Sequence, residues 1–222
     1  MPLFNIHPSN EMVELFRKKP YQGQTPQNSK IIFLSSDANY TEQLSNSHFF
    51  NYILEYQNDG INFWKKYNCH HPFLLDKYPF NKTMDGVPFH RNFSKLGLTS
   101  NYAESISFVE LLNIPTIGNK SENRKRFYEL VDIDHLRYIE ELILNNKGTL
   151  FFISNGVLKE MQKFQKKYGV FKHLNLTSNP KEPLLQKLND NMIVEIYHFS
   201  SSNIHGQIND IRKKIDEWLR VH

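Results

Sequence analysis

Two short polar loops in this chain carry the side chains best suited to chemistry, and each follows an apolar run. Ile31-Ile32-Phe33-Leu34 leads into Ser35-Ser36-Asp37-Ala38-Asn39-Tyr40, and Ile193-Val194-Glu195-Ile196-Tyr197 leads into His198-Phe199-Ser200-Ser201-Ser202-Asn203. In an open α/β sheet, the loops at the carboxyl ends of the strands line the binding crevice. A carboxylate and an imidazole are thereby expected across one pocket. An aspartate just past a buried strand has little polar cover, so its charge acts strongly on anything nearby. The same residue type caps helices well, which is the alternative for Asp37. For His198 the alternative is a solvated turn opening the final helix. Ser200 and Ser201 offer small hydrogen-bond donors suited to phosphate oxygens.

Other residues fill complementary roles. Asn113 ends the run Leu111-Leu112-Asn113, and its amide presents a donor and an acceptor in one plane, which matches a pyrimidine edge. An asparagine there also serves as a turn former. Phe89 follows Gly86-Val87-Pro88 and reads as a loop aromatic. It could stack on a base, a contact worth about 1–3 kcal/mol, or anchor the loop to the core. His90-Arg91 could meet a phosphate or the pocket floor. His70 and His71 are adjacent and point opposite ways if extended, so no metal site is expected there. His7-Pro8-Ser9 precedes a helical pattern and reads as a cap. No glycine-rich phosphate loop follows the first strand, which argues against nucleoside-triphosphate chemistry.

Composition sets the frame. The 222 residues fit one α/β domain, and 17 Phe with 11 Tyr supply large buried area despite 39% hydrophobic content. A net charge of +4 suits a polyanion without demanding one, and favours nucleic acid over a membrane surface. The single cysteine, Cys69, excludes an internal disulfide and any all-cysteine cluster or zinc site. A reducing cytoplasm is the expected location. The segment Met1 to His7 lacks the pattern of a signal peptide, and no apolar run approaches the roughly 20 residues of a membrane span.

The elements that must position these residues follow from periodicity and punctuation. A helix is expected over 9–19, capped at Ser9 or Asn10 and stopped by Pro20, then a polar tether over 21–29. Strands are expected over 30–35, 106–112, 149–153 and 192–197. Helical patterns occupy 41–57, 121–131, 133–145 (capped by Asp132 or Asp134), 157–168 after a turn at Asn155-Gly156, and 207–220. Residues 60–100 read as irregular. Four strands separated by helical crossovers imply a three-layer α/β/α fold with a central four-stranded parallel sheet. One domain spans 1–222: N-terminal helix and tether over 1–29, core over 30–206, C-terminal helix over 207–222.

Taken in order, these segments resemble the uracil-DNA glycosylase superfamily over about residues 30–206. The first loop, with Asp37, is similar to the family's catalytic aspartate loop. Phe89 resembles its stacking aromatic, Leu111-Leu112-Asn113 its base-reading strand end, and Thr149 to Ile153 with Ser154-Asn155-Gly156 its third core strand and turn. His198-Phe199-Ser200-Ser201 looks like its closing loop. This chain lacks the Gly and Pro of the first loop and both prolines of the closing loop. Where a leucine wedge enters the duplex in the family stands Ser202, with Ile204 the nearest apolar residue.

The resemblance implies a glycosylase acting on uracil or a related modified pyrimidine, without a cofactor or iron–sulfur cluster. Asp37 and His198 are then catalytic. Ser36, Asn39, Tyr40, Phe89, His90 and Asn113 bind substrate, and Arg91, Ser200 and Ser201 hold the nucleic-acid backbone. The partner would be DNA, single-stranded included, or a nucleotide, and the protein a monomer. Two other readings stay open: a binding module on the same fold, and a hydrolase of free nucleosides.

Overall fold

The computed structural model describes residues 3–177 and 184–222; Met1 and Pro2 of the N-terminal segment lie outside them. Nine strands are described: β1 (Asn5–Ile6), β2 (Tyr21–Gly23), β3 (Ile31–Ser35), β4 (Ala38–Asn39), β5 (Ile106–Glu110), β6 (Pro115–Ile117), β7 (Leu150–Ser154), β8 (Leu185–Leu188) and β9 (Asn191–Ile196). Eight α-helices accompany them: α1 (Asn10–Lys18), α2 (Phe50–Asn58), α3 (Gly60–Tyr67), α4 (Val87–Phe93), α5 (Arg124–Glu129), α6 (Ile133–Asn145), α7 (Asn155–Tyr168) and α8 (Ile208–Val221).

The main sheet corrects the sequence expectation. It is mixed and has six strands, in the order β2-β5-β3-β7-β9-β8. The expected strands β5, β3, β7 and β9 occupy its centre and run parallel to one another. The polar tether supplies one antiparallel edge, β2 on β5, and the β8–β9 hairpin supplies the other. Both edges were missed because short, half-polar edge strands carry little hydrophobic periodicity. A second sheet, β1-β6-β4, stands apart from the first. It stitches the loop after β3 to the loop after β5, pairing Ala38 with Pro115 and Asn39 with Thr116.

Side-chain alternation sorts the core onto two faces. Ile32 and Leu34 of β3 pack with Leu136, Ile139, Leu158 and Met161 of α6 and α7. Ile31 and Phe33 pack on the other side with Trp64, Phe93, Ile211 and Ile215 of α3, α4 and α8. Phe33 centres this second layer, with ring centroids 5.1 Å from Phe152, 5.7 Å from Phe108 and 5.0 Å from Phe93. Burying one such ring stabilises by about 1.5–3 kcal/mol, so the strands beneath the loops are firmly held.

The irregular region contains two helices after all. Asp59 caps α3 through the Asn62 N–H, and Pro88 lies in the first turn of α4, where its missing N–H costs nothing. Gly86 brings the chain so close to Asn39 that a Cβ there would sit 3.0 Å from the Asn39 carbonyl oxygen. That approach seats α4 against the β3–β4 loop. Asn155 and Gly156 begin α7 rather than forming a turn before it, because Ser154 Oγ accepts from the Val157 N–H and caps the helix. Ser9 caps α1, and Asp132 caps α6 by accepting from the Asp134 and His135 N–H groups. No helix among the described residues is long and apolar enough to cross a membrane.

Candidate active site

The chain leaves β3 toward β5 on one side of the sheet and later continues from β7 to β9 on the other. The carboxyl ends of β3 and β7 therefore flank the point where the strand order reverses, the usual place for a ligand in such sheets. A cavity of about 550 Å³ lies there, lined from the ends of all four parallel strands. Asp37, His198 and Phe89 line it, as do Ser36, Asn39, Tyr40, His90 and Ser200. Three expected site residues do not. Asn113 donates to Asp132 Oδ2 at 2.8 Å and so buttresses the cap of α6. Arg91 is exposed on α4. Ser201 accepts from the Asn203 N–H and caps the turn that follows.

Asp37 is fixed by its neighbours. Its Oδ2 accepts from the Thr116 hydroxyl at 2.7 Å, and Asn39 donates to Thr116 Oγ1 and to the Gly118 carbonyl. Thus the β4–β6 pairing, not a helix cap, is what holds the aspartate. Burial raises its pKa, opposed by the Thr116 hydrogen bond and the charge of Lys120. Lys120 Nζ in turn donates to Ser36 Oγ at 2.7 Å.

His198 is half-buried and its Nδ1 accepts from the Ser200 N–H at 3.2 Å. Burial, with the nearby Lys120 charge, lowers its pKa to about 4. At neutral pH it is therefore an uncharged imidazole carrying its proton on Nε2, a fixed neutral donor. Phe89 sits on α4 rather than in a loop. Its ring centroid lies 5.5 Å from the His198 ring and 5.1 Å from that of His90, and its edge contacts Phe108 and Phe199. It is both a wall of the cavity and a partner of the core. His90 stacks on His71 with centroids 3.6 Å apart and shares a hydrogen bond with His70, Nδ1 to Nε2 at 3.2 Å. Desolvation holds all three imidazoles neutral.

Glu110 escaped the sequence reading. It ends β5, is 7% exposed, and lines the cavity beside Asp37. Its signal was present: one carboxylate closing the apolar strand run Ile106-Ser107-Phe108-Val109, two residues from Phe108 and so on the same sheet face. Lys120 escaped as well, because its nearness to Asp37 is created by β6 and not by sequence spacing.

Near Lys120 the cavity adjoins a groove lined by Lys120, Arg124, Lys159, Lys163 and Lys166, with Glu160 the one carboxylate lining it among the described residues. Ile204, the nearest apolar residue to the expected wedge position, is fully buried in the core. No protein-family model matches this chain, and the curated proteins gave no significant match.

Proposed function

We propose that this protein is a DNA glycosylase-like enzyme hydrolysing the N-glycosidic bond of uracil or a related modified pyrimidine. The observation that carries the reading is the convergence of Asp37, His198 and Phe89, from distant parts of the sequence, on one cavity at the carboxyl ends of the parallel strands. Four parallel strands at the centre of the mixed six-stranded sheet, with the Asp37 and His198 loops following two of them, also support the reading.

Cleaving the glycosidic bond develops positive charge on the sugar and negative charge on the departing base. The Asp37 carboxylate stabilises the first and orients water, while the His198 Nε2–H stabilises the second. The target base must leave the stack to reach such a cavity, and Phe89 supplies a ring for it to rest on. The basic groove beside Lys120 suits the phosphates of a polynucleotide, which favours a polymer over a free nucleoside. With Ile204 buried and Ser202 exposed, no apolar wedge stands at that position, so single-stranded DNA is the preferred substrate.

The test is base release from uracil-containing single- and double-stranded oligonucleotides. Release that is faster from the single strand supports the reading. Salt-sensitive binding with no release from any substrate would instead mark a binding module, and turnover of nucleosides alone a nucleoside hydrolase.

A further inference from the structure

We propose that Glu110, in its protonated form, reads the edge of the bound base, selecting a ring that offers one hydrogen-bond donor beside one acceptor. The geometry comes first. Glu110 is buried at the end of β5 on the cavity wall, and among the described residues its carboxyl oxygens accept no hydrogen bond. Its backbone is held separately, with His135 Nε2 donating to the Glu110 carbonyl at 2.8 Å. Its carboxyl instead faces the open cavity, where the edge of a ligand can reach it. On the same cavity, His71 Nδ1 accepts from the Phe73 N–H, so its proton resides on Nε2, a buried donor that also has no partner among the described residues. The residue expected to read the base, Asn113, spends its amide on Asp132.

Asp37 and Glu110, two of the carboxyls lining this cavity, are not equivalent. Asp37 has Thr116 and the charge of Lys120 to support ionisation. Glu110 has neither, and burial together with the Asp37 charge pushes its pKa up to about 8. The other groups facing it do not reverse this. Tyr40, Tyr56 and Asp85 are held toward their neutral forms by burial. His71, His90 and His198 are neutral imidazoles. Lys120, the one lysine or arginine lining the cavity among the described residues, is committed to Ser36 and Asp37.

A protonated carboxyl presents an O–H donor and a C=O acceptor in one plane, as an amide does. It therefore pairs with the N3–H and O4 of uracil or the N3 and N4–H of cytosine. The ionised form presents acceptors only and loses that match.

The inference borrows its ligand class from the proposed base release, but its test reads binding separately. Free uracil, cytosine and 3-methyluracil are titrated into wild type and Glu110→Gln by calorimetry at pH 6.5 and 9. Uracil and cytosine are expected to bind wild type at pH 6.5 and to weaken about tenfold at pH 9, one unit above the Glu110 value. The Gln variant, whose amide keeps both donor and acceptor, should bind equally at both pH values, and 3-methyluracil should bind at least about tenfold more weakly than uracil. Equal pH sensitivity in wild type and variant, equal binding of uracil and its 3-methyl form, or binding of no base by wild type overturns the proposal. Pyrimidine binding with this pattern but no base release from any oligonucleotide would retire the catalytic reading and leave the Glu110 assignment standing.

Discussion

The Glu110 carboxyl makes folding stability depend on pH in a calculable way. In the unfolded chain it titrates near 4.5, and in the folded protein near 8. Between those values the native state keeps a proton that the unfolded state has released. Stability from this group is therefore complete below about pH 4.5 and is lost progressively as pH rises to about 8. The shift sets a ceiling of about 5 kcal/mol, at about 1.4 kcal/mol per pH unit. Water entering the open cavity screens the charge, so about 2 kcal/mol is the expected loss. Glu110→Gln removes the ionisation while keeping the shape of the protonated acid. Urea denaturation of wild type and variant at half-unit steps from pH 5 to 9 reads the difference directly. The two should match within about 1 kcal/mol at pH 5 and diverge toward pH 9, with the variant more stable. A difference that stays constant across the range would refute the placement of Glu110 as a buried, proton-retaining acid.

Three further outcomes follow from the site. Phe89→Ala should weaken single-stranded oligonucleotide binding by about 1–3 kcal/mol if the ring carries a base, measured by fluorescence anisotropy; a change confined to melting temperature would mark Phe89 as core only. Asn113→Ala should leave base release unchanged and cost up to about 1 kcal/mol of stability through the weakened cap of α6, checked by parallel activity and denaturation curves. Lys159→Gln with Lys166→Gln should lower the slope of log affinity against log salt by about 1.4 for single-stranded DNA, and an unchanged slope would remove the groove from the binding surface.

Much of the central sheet could be read from sequence because its signals are local. Apolar runs of strand length, the Ser9 and Asp132 caps and the terminal amphipathic helix each declare themselves within a few residues. The edges did not, since β2 and β8 are short, and a strand with one neighbour need not be apolar on both faces. Helix α4 was hidden by the glycine and proline at its start, which also mark loops. Asp37 and His198 were legible because each follows a strand, and strand ends converge by topology alone. Glu110, Lys120 and the tie between Asn39, Thr116 and Asp37 depend on β4 and β6. Those strands of two and three residues are too short to announce themselves. Asn113 misled because amide chemistry at a strand end is shared by base readers and helix-cap partners, and only the nearby Asp132 decides between them.

The most direct measurement is single-turnover release of uracil from a single-stranded oligonucleotide by wild type, Asp37→Asn and His198→Ala, from pH 5 to 9.5. Wild-type release should rise as Asp37 ionises, above the ordinary carboxylate range because burial raises its pKa, and fall again above about 8 as Glu110 loses its proton. Each substitution should slow release by about 10²–10³ at the optimum, the loss typical of removing one preorganised charge or donor. Release that proceeds at the wild-type rate in both variants would contradict the account at its centre.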